Sequence, residues 1–206
     1  MSFYLLKSEV RNFFGPFLNI AGDIVIFPYV RENHEIDHEH WHNNGVHVPV
    51  SSGIWLVTDS LPASVTDLFI GHSASDILCF CHYYPSWLTP PCSVTFASLG
   101  LLPSKEQVVR LKSLFPNAKI HTVFDTGISG RVADCKVATW KFGKDVRFRL
   151  ANDEVEFYYK RKSYYIPVSV FSLNHFEKVV GSRAEIRTHK PKGPFETFHQ
   201  FFTDIV

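Results

Sequence analysis

From Asp67 onward the apolar positions of this chain recur with a regularity that predicts alternating strands and helices. Leu68-Phe69-Ile70 is a short run of the kind buried in a sheet. A helix follows through about His82, with Ala74, Ile77, Leu78 and Cys81 on one face. Ser93 to Ser98 alternates as a strand. Ser104-Lys105-Glu106-Gln107 has the form of a capping box, and Val108, Leu111, Leu114 and Phe115 continue a helical stripe that stops at Pro116. Ala118 to Phe124 reads as the next strand, and Gly130 to about Phe142 as a helix that offers Val132, Val137 and Trp140 for packing. Strand and helix in alternation predict an α/β fold with a parallel sheet and right-handed crossovers.

The flanks follow other patterns. Residues 1–22 read as a short amphipathic start, with Val10, Phe13, Phe14 and Phe17 on one face until Gly15-Pro16 interrupts it. Asp23 to Val30 is β-branched and aromatic, with Pro28 suggesting an edge strand. Val46 to Val50 and Gly53 to Val57 are further candidate strands, with turns expected at Asn43-Asn44-Gly45 and Asp59-Ser60-Leu61-Pro62. Toward the other end, Val146 to Leu150 and Val155 to Tyr159 alternate, and Lys160-Arg161-Lys162-Ser163 would turn the chain into Tyr164-Tyr165-Ile166. Ser172-Leu173-Asn174 starts a short helix ending near Gly181. Arg187 to Gly193 is basic and irregular, and Phe195 to Phe202 forms a final aromatic helix. The division expected is a β-rich N-terminal extension over 1–60 packed on the main domain, an α/β core over 61–145, and a β-hairpin and C-terminal helical extension over 146–206.

Composition narrows the function classes. The chain has 206 residues, 45% hydrophobic and 20% charged, enough for a real core and unlike a disordered protein. With 21 basic against 20 acidic residues the net charge is +1, so any nucleic-acid-binding surface has to be local. No apolar run reaches the roughly 18 residues of a membrane span. The start of the chain lacks the features of a signal peptide, and its 4 cysteines form no dense framework. A cytoplasmic location with reduced thiols is expected, with no membrane partner.

Several stretches carry candidate chemistry. In Ile120 to Ala133 an apolar run ends on Asp125, a glycine-punctuated turn follows, and a helix opens. An Asp there suits a metal, and the helix-start N–H groups suit a phosphate, while the plainer reading is a loop or helix cap. His34 to His42, with His47 nearby, holds the densest set of imidazoles. On a strand His38, His40 and His42 line up, and imidazole with carboxylate suits Zn, Ni or Cu. A solvated loop or hairpin accounts for the same residues. Cys79 and Cys81 read as buried thiols. Arg147, Arg149, Tyr158, Tyr159, Lys160, Arg161, Lys162, Tyr164 and Tyr165 interleave cations with rings that could bind a phosphate backbone and stack bases, or form a half-buried hairpin with a solvated tip. There is neither a Walker loop nor a Gly-x-Ser-x-Gly elbow.

Leu68-Phe69-Ile70-Gly71-His72-Ser73-Ala74-Ser75-Asp76-Ile77-Leu78 resembles the opening motif of toprim domains, in the form found in toprim-like proteins of bacterial mobile elements. Phe124-Asp125-Thr126-Gly127-Ile128-Ser129-Gly130-Arg131-Val132-Ala133 is similar to the second toprim motif. Gly53-Ile54-Trp55-Leu56 and the Lys190 to Phe195 tail resemble the flanking segments of the same proteins. The resemblance implies a toprim-like parallel sheet flanked by helices, with β-rich N- and C-terminal extensions. In the family a glutamate and two aspartates hold Mg²⁺. Here the glutamate position is His72 and the second aspartate position is Gly127, so Asp125 alone remains. Asp76 suits a helix start, and Asp134 reads as a surface charge. The expectation is a non-catalytic toprim-like module in nucleic-acid or mobile-element processing, with no cofactor. One alternative is a divergent metal-dependent phosphodiesterase or nuclease using His72 and Asp125 with Mg²⁺ or another divalent ion. Another is a metal-binding protein built on the His34–His47 loop through His38, His40 and His42. DNA or RNA would meet local basic patches at Lys160, Arg161, Lys162, Lys190 and Lys192, and a protein partner is a further candidate.

Overall fold

The computed structural model describes residues 2–58, 60–89 and 93–205. The chain opens with a 3₁₀ turn and helix α1 (Ser8–Phe14), which buries Val10 and Phe14. Strands β1 (Asn19–Ala21), β2 (Ile24–Arg31), β3 (His34–His42) and β4 (Gly45–His47) then form an antiparallel sheet in sequence order. In β2 the residues alternate strictly, with Val25, Phe27 and Tyr29 buried. Pro28 is not on an edge strand as expected, because β2 lies between β1 and β3. It is tolerated because β1 pairs only as far as Ile26, leaving Pro28 a partner on β3 alone. The histidine-rich segment is strand β3, and Asn43-Asn44 turns it into β4.

The main layer follows. It comprises β5 (Trp55–Thr58), β6 (Asp67–Gly71), α2 (Ala74–Tyr83), β7 (Val94–Ser98), α3 (Lys105–Leu114), β8 (Lys119–Val123) and α4 (Ile128–Trp140). Asp59, the first residue of the expected turn, lies outside the described residues, as does Cys92. The capping box at Ser104 is formed, with the Gln107 N–H donating to Ser104 Oγ at 3.3 Å and the Ser104 N–H to Gln107 Oε1 at 2.8 Å. Buried Gln107 also donates to the carbonyls of Ser51, Gly53 and Leu99, tying α3 to the segment before β5.

Beyond α4 come β9 (Phe148–Ala151), β10 (Glu154–Tyr159) and β11 (Lys162–Pro167), an antiparallel three-stranded sheet. Helix α5 (Leu173–Val180), a two-residue strand β12 (Arg187–Thr188) and helix α6 (Phe198–Ile205) complete the chain. Strand β12 returns to the main sheet, whose order is β12-β8-β6-β7-β5. The first four strands are parallel and β5 is antiparallel to β7. The architecture is therefore mixed α/β, with six α-helices and three sheets among the described residues.

Three apolar clusters hold the layers. One face of the main sheet, with α2, shares its core with the N-terminal segment through Phe14, Phe27 and Trp55, and with α6 through Phe198 and Phe202. The other face packs Leu68, Ile70 and Ala97 against Val108, Leu111, Val137 and Trp140 of α3 and α4. The third cluster joins Phe157 and Ile166 of the small sheet to Cys135 of α4 and Phe176 of α5. Cys79, Cys81 and Cys135 are buried free thiols. Among the described residues no helix is long and apolar enough to cross a membrane.

Candidate functional site

Strands β6 and β8 are parallel neighbours, yet β6 is followed in sequence by β7 on its other side. The carboxyl ends of β6 and β8 therefore flank a topological switch point, where open α/β sheets present their ligand crevice. His72 follows the last residue of β6, and Asp125 lies two residues past β8. Their side chains meet there, with His72 Nδ1 3.4 Å from Asp125 Oδ2, both largely shielded from solvent. The Phe124 ring backs the imidazole at 4.4 Å.

Asp125 is held by three neighbours, His72, Ser129 and Gly130. Its Oδ1 accepts the Gly130 N–H at 3.1 Å, and Ser129 Oγ lies 3.2 and 3.3 Å from its two oxygens. Burial works against the charge. The His72 hydrogen bond and charge, together with Gly130 and Ser129, nonetheless hold its pKa below the usual aspartate value. Gly127 is the N-cap of α4 and has no side chain to cap with, so Asp125 supplies that function from two residues upstream. A Cβ on Gly127 would stand 2.9 Å from Asp125 Oδ1, and one on Gly130 would fall 2.2 Å from the Asp125 carbonyl oxygen. The glycines at these positions are what lets the carboxylate fold back onto the helix start.

The neighbouring helix start, that of α2, is filled as well. Glu39 from β3 is fully buried and accepts the Ala74 N–H at 2.8 Å, the Ser75 N–H at 2.9 Å, Ser73 Oγ at 2.7 Å and Tyr29 Oη at 3.0 Å. Burial raises its pKa even though these donors favour the anion. Asp76, in the first turn of α2, is half-buried. Burial pushes its pKa up to about 7 against the pull of the His199 N–H, which it accepts at 2.8 Å, and the charges of Glu39 and Asp125 add to the rise. Its carboxylate thereby anchors the start of α6.

Asp134 is 1% exposed, which corrects the expectation of a surface charge. It faces inward on α4, accepts Thr122 Oγ1 at 2.6 Å and pairs with Lys190 Nζ at 2.7 Å. Lys190 also donates to the carbonyls of Phe124 and Asp125 at 3.1 and 2.9 Å. Its ammonium thus straps the C-terminal segment across the end of β8 and is not free to meet a phosphate backbone. The strap continues with the Thr126 N–H donating to the Glu196 carbonyl at 2.9 Å.

A second polar chain lies on the same sheet. His121 sits between Asp67 Oδ1 and His189 Nε2, at 2.9 Å from each. Phe69, Phe80 and Trp87 surround these rings. Burial keeps His121 below the ordinary histidine pKa and takes His189 down to about 4, with neighbouring cations adding to both.

The remaining candidates lie elsewhere. Lys160, Arg161, Lys162 and Lys192 are exposed. His38, His40 and His42 share the outer face of β3, opposite buried Glu39 and Trp41. The His38 ring stacks on that of His40 at 6.0 Å, the His40 ring lies 6.4 Å from that of His47 across the strands, and His38 pairs with Glu35. Among the described residues no group of three or more His, Cys, Asp or Glu side chains is arranged to hold a metal ion. The switch-point crevice does not fit Mg²⁺ either, since its one available carboxylate is already taken up by His72, Ser129 and Gly130.

Glu39 is the residue that the sequence reading missed. Its signal was strand period, since Glu39 and Trp41 fall on the face opposite the histidines. No protein-family model matches the chain, and no curated protein sequence matches it.

Proposed function

We propose that this chain is a non-catalytic toprim-like module that serves nucleic-acid or mobile-element processing by binding. The observation that carries the reading is that both helix starts beside the switch point, those of α2 and α4, are filled by the chain's own carboxylates, Glu39 and Asp125. A phosphate docked at a helix start needs free N–H groups there, and a catalytic metal needs free carboxylates. Here each has satisfied the other. The sheet order and the order of motifs support the toprim-like part of the reading, and the replacement of two acidic positions by His72 and Gly127 supports the loss of chemistry. Incubation with labelled single- and double-stranded DNA and RNA in Mg²⁺ or Mn²⁺ tests it. Intact strands are expected, and cleavage that Asp125→Ala removes would overturn it.

A second reading, a divergent metal-dependent phosphodiesterase, is favoured by the convergence of His72 and Asp125 at 3.4 Å. An imidazole and a carboxylate at that separation suit Mn²⁺ or Zn²⁺ better than Mg²⁺. It requires cleavage that depends on one of those ions and disappears in both His72→Ala and Asp125→Ala.

A further inference from the structure

The small sheet β9–β11 turns one face inward onto α4 and α5 through Phe157, Tyr159 and Ile166, and leaves the other to solvent. On that outer face the register sets Arg149, Glu156 and Tyr165 in one row across the three strands, with Tyr158 on the diagonal from Tyr165. Tyr158 is 62% exposed and Tyr165 58%, and with Arg147 and Arg149 they line a shallow depression of about 220 Å³. Exposed rings on an open sheet are out of place as core formers and well placed as stacking surfaces.

The turn at the end of this face supplies an independent observation. Lys160 and Arg161 form the two-residue link between β10 and β11, and both have positive φ, 48° and 65°. That turn favours Asn-Gly or Asp-Gly, because side chains with a bulky Cβ disfavour the left-handed region. At the other end of β10 the equivalent turn is made by Asn152 and Asp153, whose short polar side chains tolerate the left-handed region. The basic tip therefore keeps two long cations in a backbone that resists them, and such strain points toward function. Among the described residues, Arg147, Arg149, Lys160, Arg161 and Lys162 have no ion-pair partner. Over residues 146–167 these five basic side chains stand against three acidic ones, Asp153, Glu154 and Glu156, while the whole chain carries only +1.

We infer that the outer face of β9–β11, from the Tyr158–Tyr165 pair to the Lys160–Arg161 tip, binds single-stranded nucleic acid. Bases stack on the two tyrosines while the arginines and the basic tip follow the phosphates. Paired bases cannot offer their faces to an open sheet, so the ligand is unpaired DNA or RNA. The inference takes its ligand class from the binding role proposed above and moves the contact away from the switch point.

Fluorescence anisotropy with labelled single strands of about 12 nucleotides, DNA in one arm and RNA in the other, tests the surface. Binding is expected in at least one arm. Tyr158→Ala and Tyr165→Ala should each weaken it between about 5-fold and about 150-fold. The double variant Lys160→Asn/Arg161→Gly is the sharper probe, because the turn chemistry should raise the melting temperature while binding weakens. The slope of log affinity against log salt should also shrink by about 1.4 for the two lost cations. No binding in either arm, or binding that the tyrosine and turn variants leave unchanged, overturns this surface. Strand cleavage during the assay would instead overturn the non-catalytic reading and leave the surface standing.

Discussion

His72 Nδ1 and Asp125 Oδ2 stand 3.4 Å apart across the carboxyl ends of two adjacent parallel strands. The carboxylate also receives the Gly130 N–H, so it works as the cap of α4. Asp125→Ala should therefore lower stability by about 1–2 kcal/mol, the usual loss of a cap, measured by urea unfolding at neutral pH. Because the folded pKa of Asp125 is depressed from 3.8, its contribution is present above that value and is lost as pH falls through the folded pKa. A variant as stable as the parent at pH 7 would show that the carboxylate is not holding the helix.

Glu39→Ala leaves the Ala74 and Ser75 N–H groups and the Tyr29 and Ser73 hydroxyls without their acceptor. Unsatisfied buried donors predict a loss of roughly 3 kcal/mol or more. For a chain of this length that is a fall of about 6–12 °C in melting temperature. Glu39→Gln, which keeps one carbonyl acceptor, should fall between the two. A melting temperature within a degree or so of the parent for Glu39→Ala would rule out a structural role.

Asp76 makes stability fall as pH rises toward neutrality. Its folded pKa of about 7 lies above the ordinary 3.8, so the native state binds the proton more tightly than the unfolded chain. Its share of stability is complete below 3.8 and is lost as pH rises toward 7. Asp76→Asn keeps a carbonyl for the His199 N–H and has no charge to bury. Across a pH series of urea titrations, the variant should gain on the parent between pH 4 and 7 and hold that gain above it. A constant difference between the two proteins would contradict this.

His189 acts in the opposite sense. Its folded pKa of about 4 lies below 6.5, so the unfolded chain takes up the proton first. Stability linked to His189 is therefore full above 6.5 and declines as pH falls toward 4. The imidazole resonances of the folded protein should show one ring still neutral at pH 5, assigned by its absence in His189→Gln. Titration of that ring near 6.5 would contradict its placement beside His121 among Phe69, Phe80 and Trp87.

What could be read without the structure, and what could not, divides along physical lines. The strands β6, β7 and β8 and the helices α2 to α4 announce themselves through buried runs, a capping box and a 3.6-residue stripe. His72, Asp125 and Gly127 were legible because strand ends and glycines punctuate the pattern. Asp134 could have been placed correctly, since it shares a helix face with Gly130, Val137 and Ala138, all buried. Lys190 could not, because its partner lies 56 positions earlier in the chain and nothing local marks it. Glu39 was half legible, since strand period turns it inward with Trp41, but its hydrogen bonds reach residues 34 to 36 positions away. Long-range satisfaction of buried charge leaves no periodic trace, and here it decided how the site reads.

Calorimetric titration of Mg²⁺ and Mn²⁺ into the protein and into Asp125→Ala tests most directly whether the switch point has given up metal chemistry. With its carboxylate bound to His72, Ser129 and Gly130, the parent should show no millimolar-range binding that the variant lacks. Saturable binding in the parent that vanishes in Asp125→Ala would contradict the reading of this crevice as closed to catalysis.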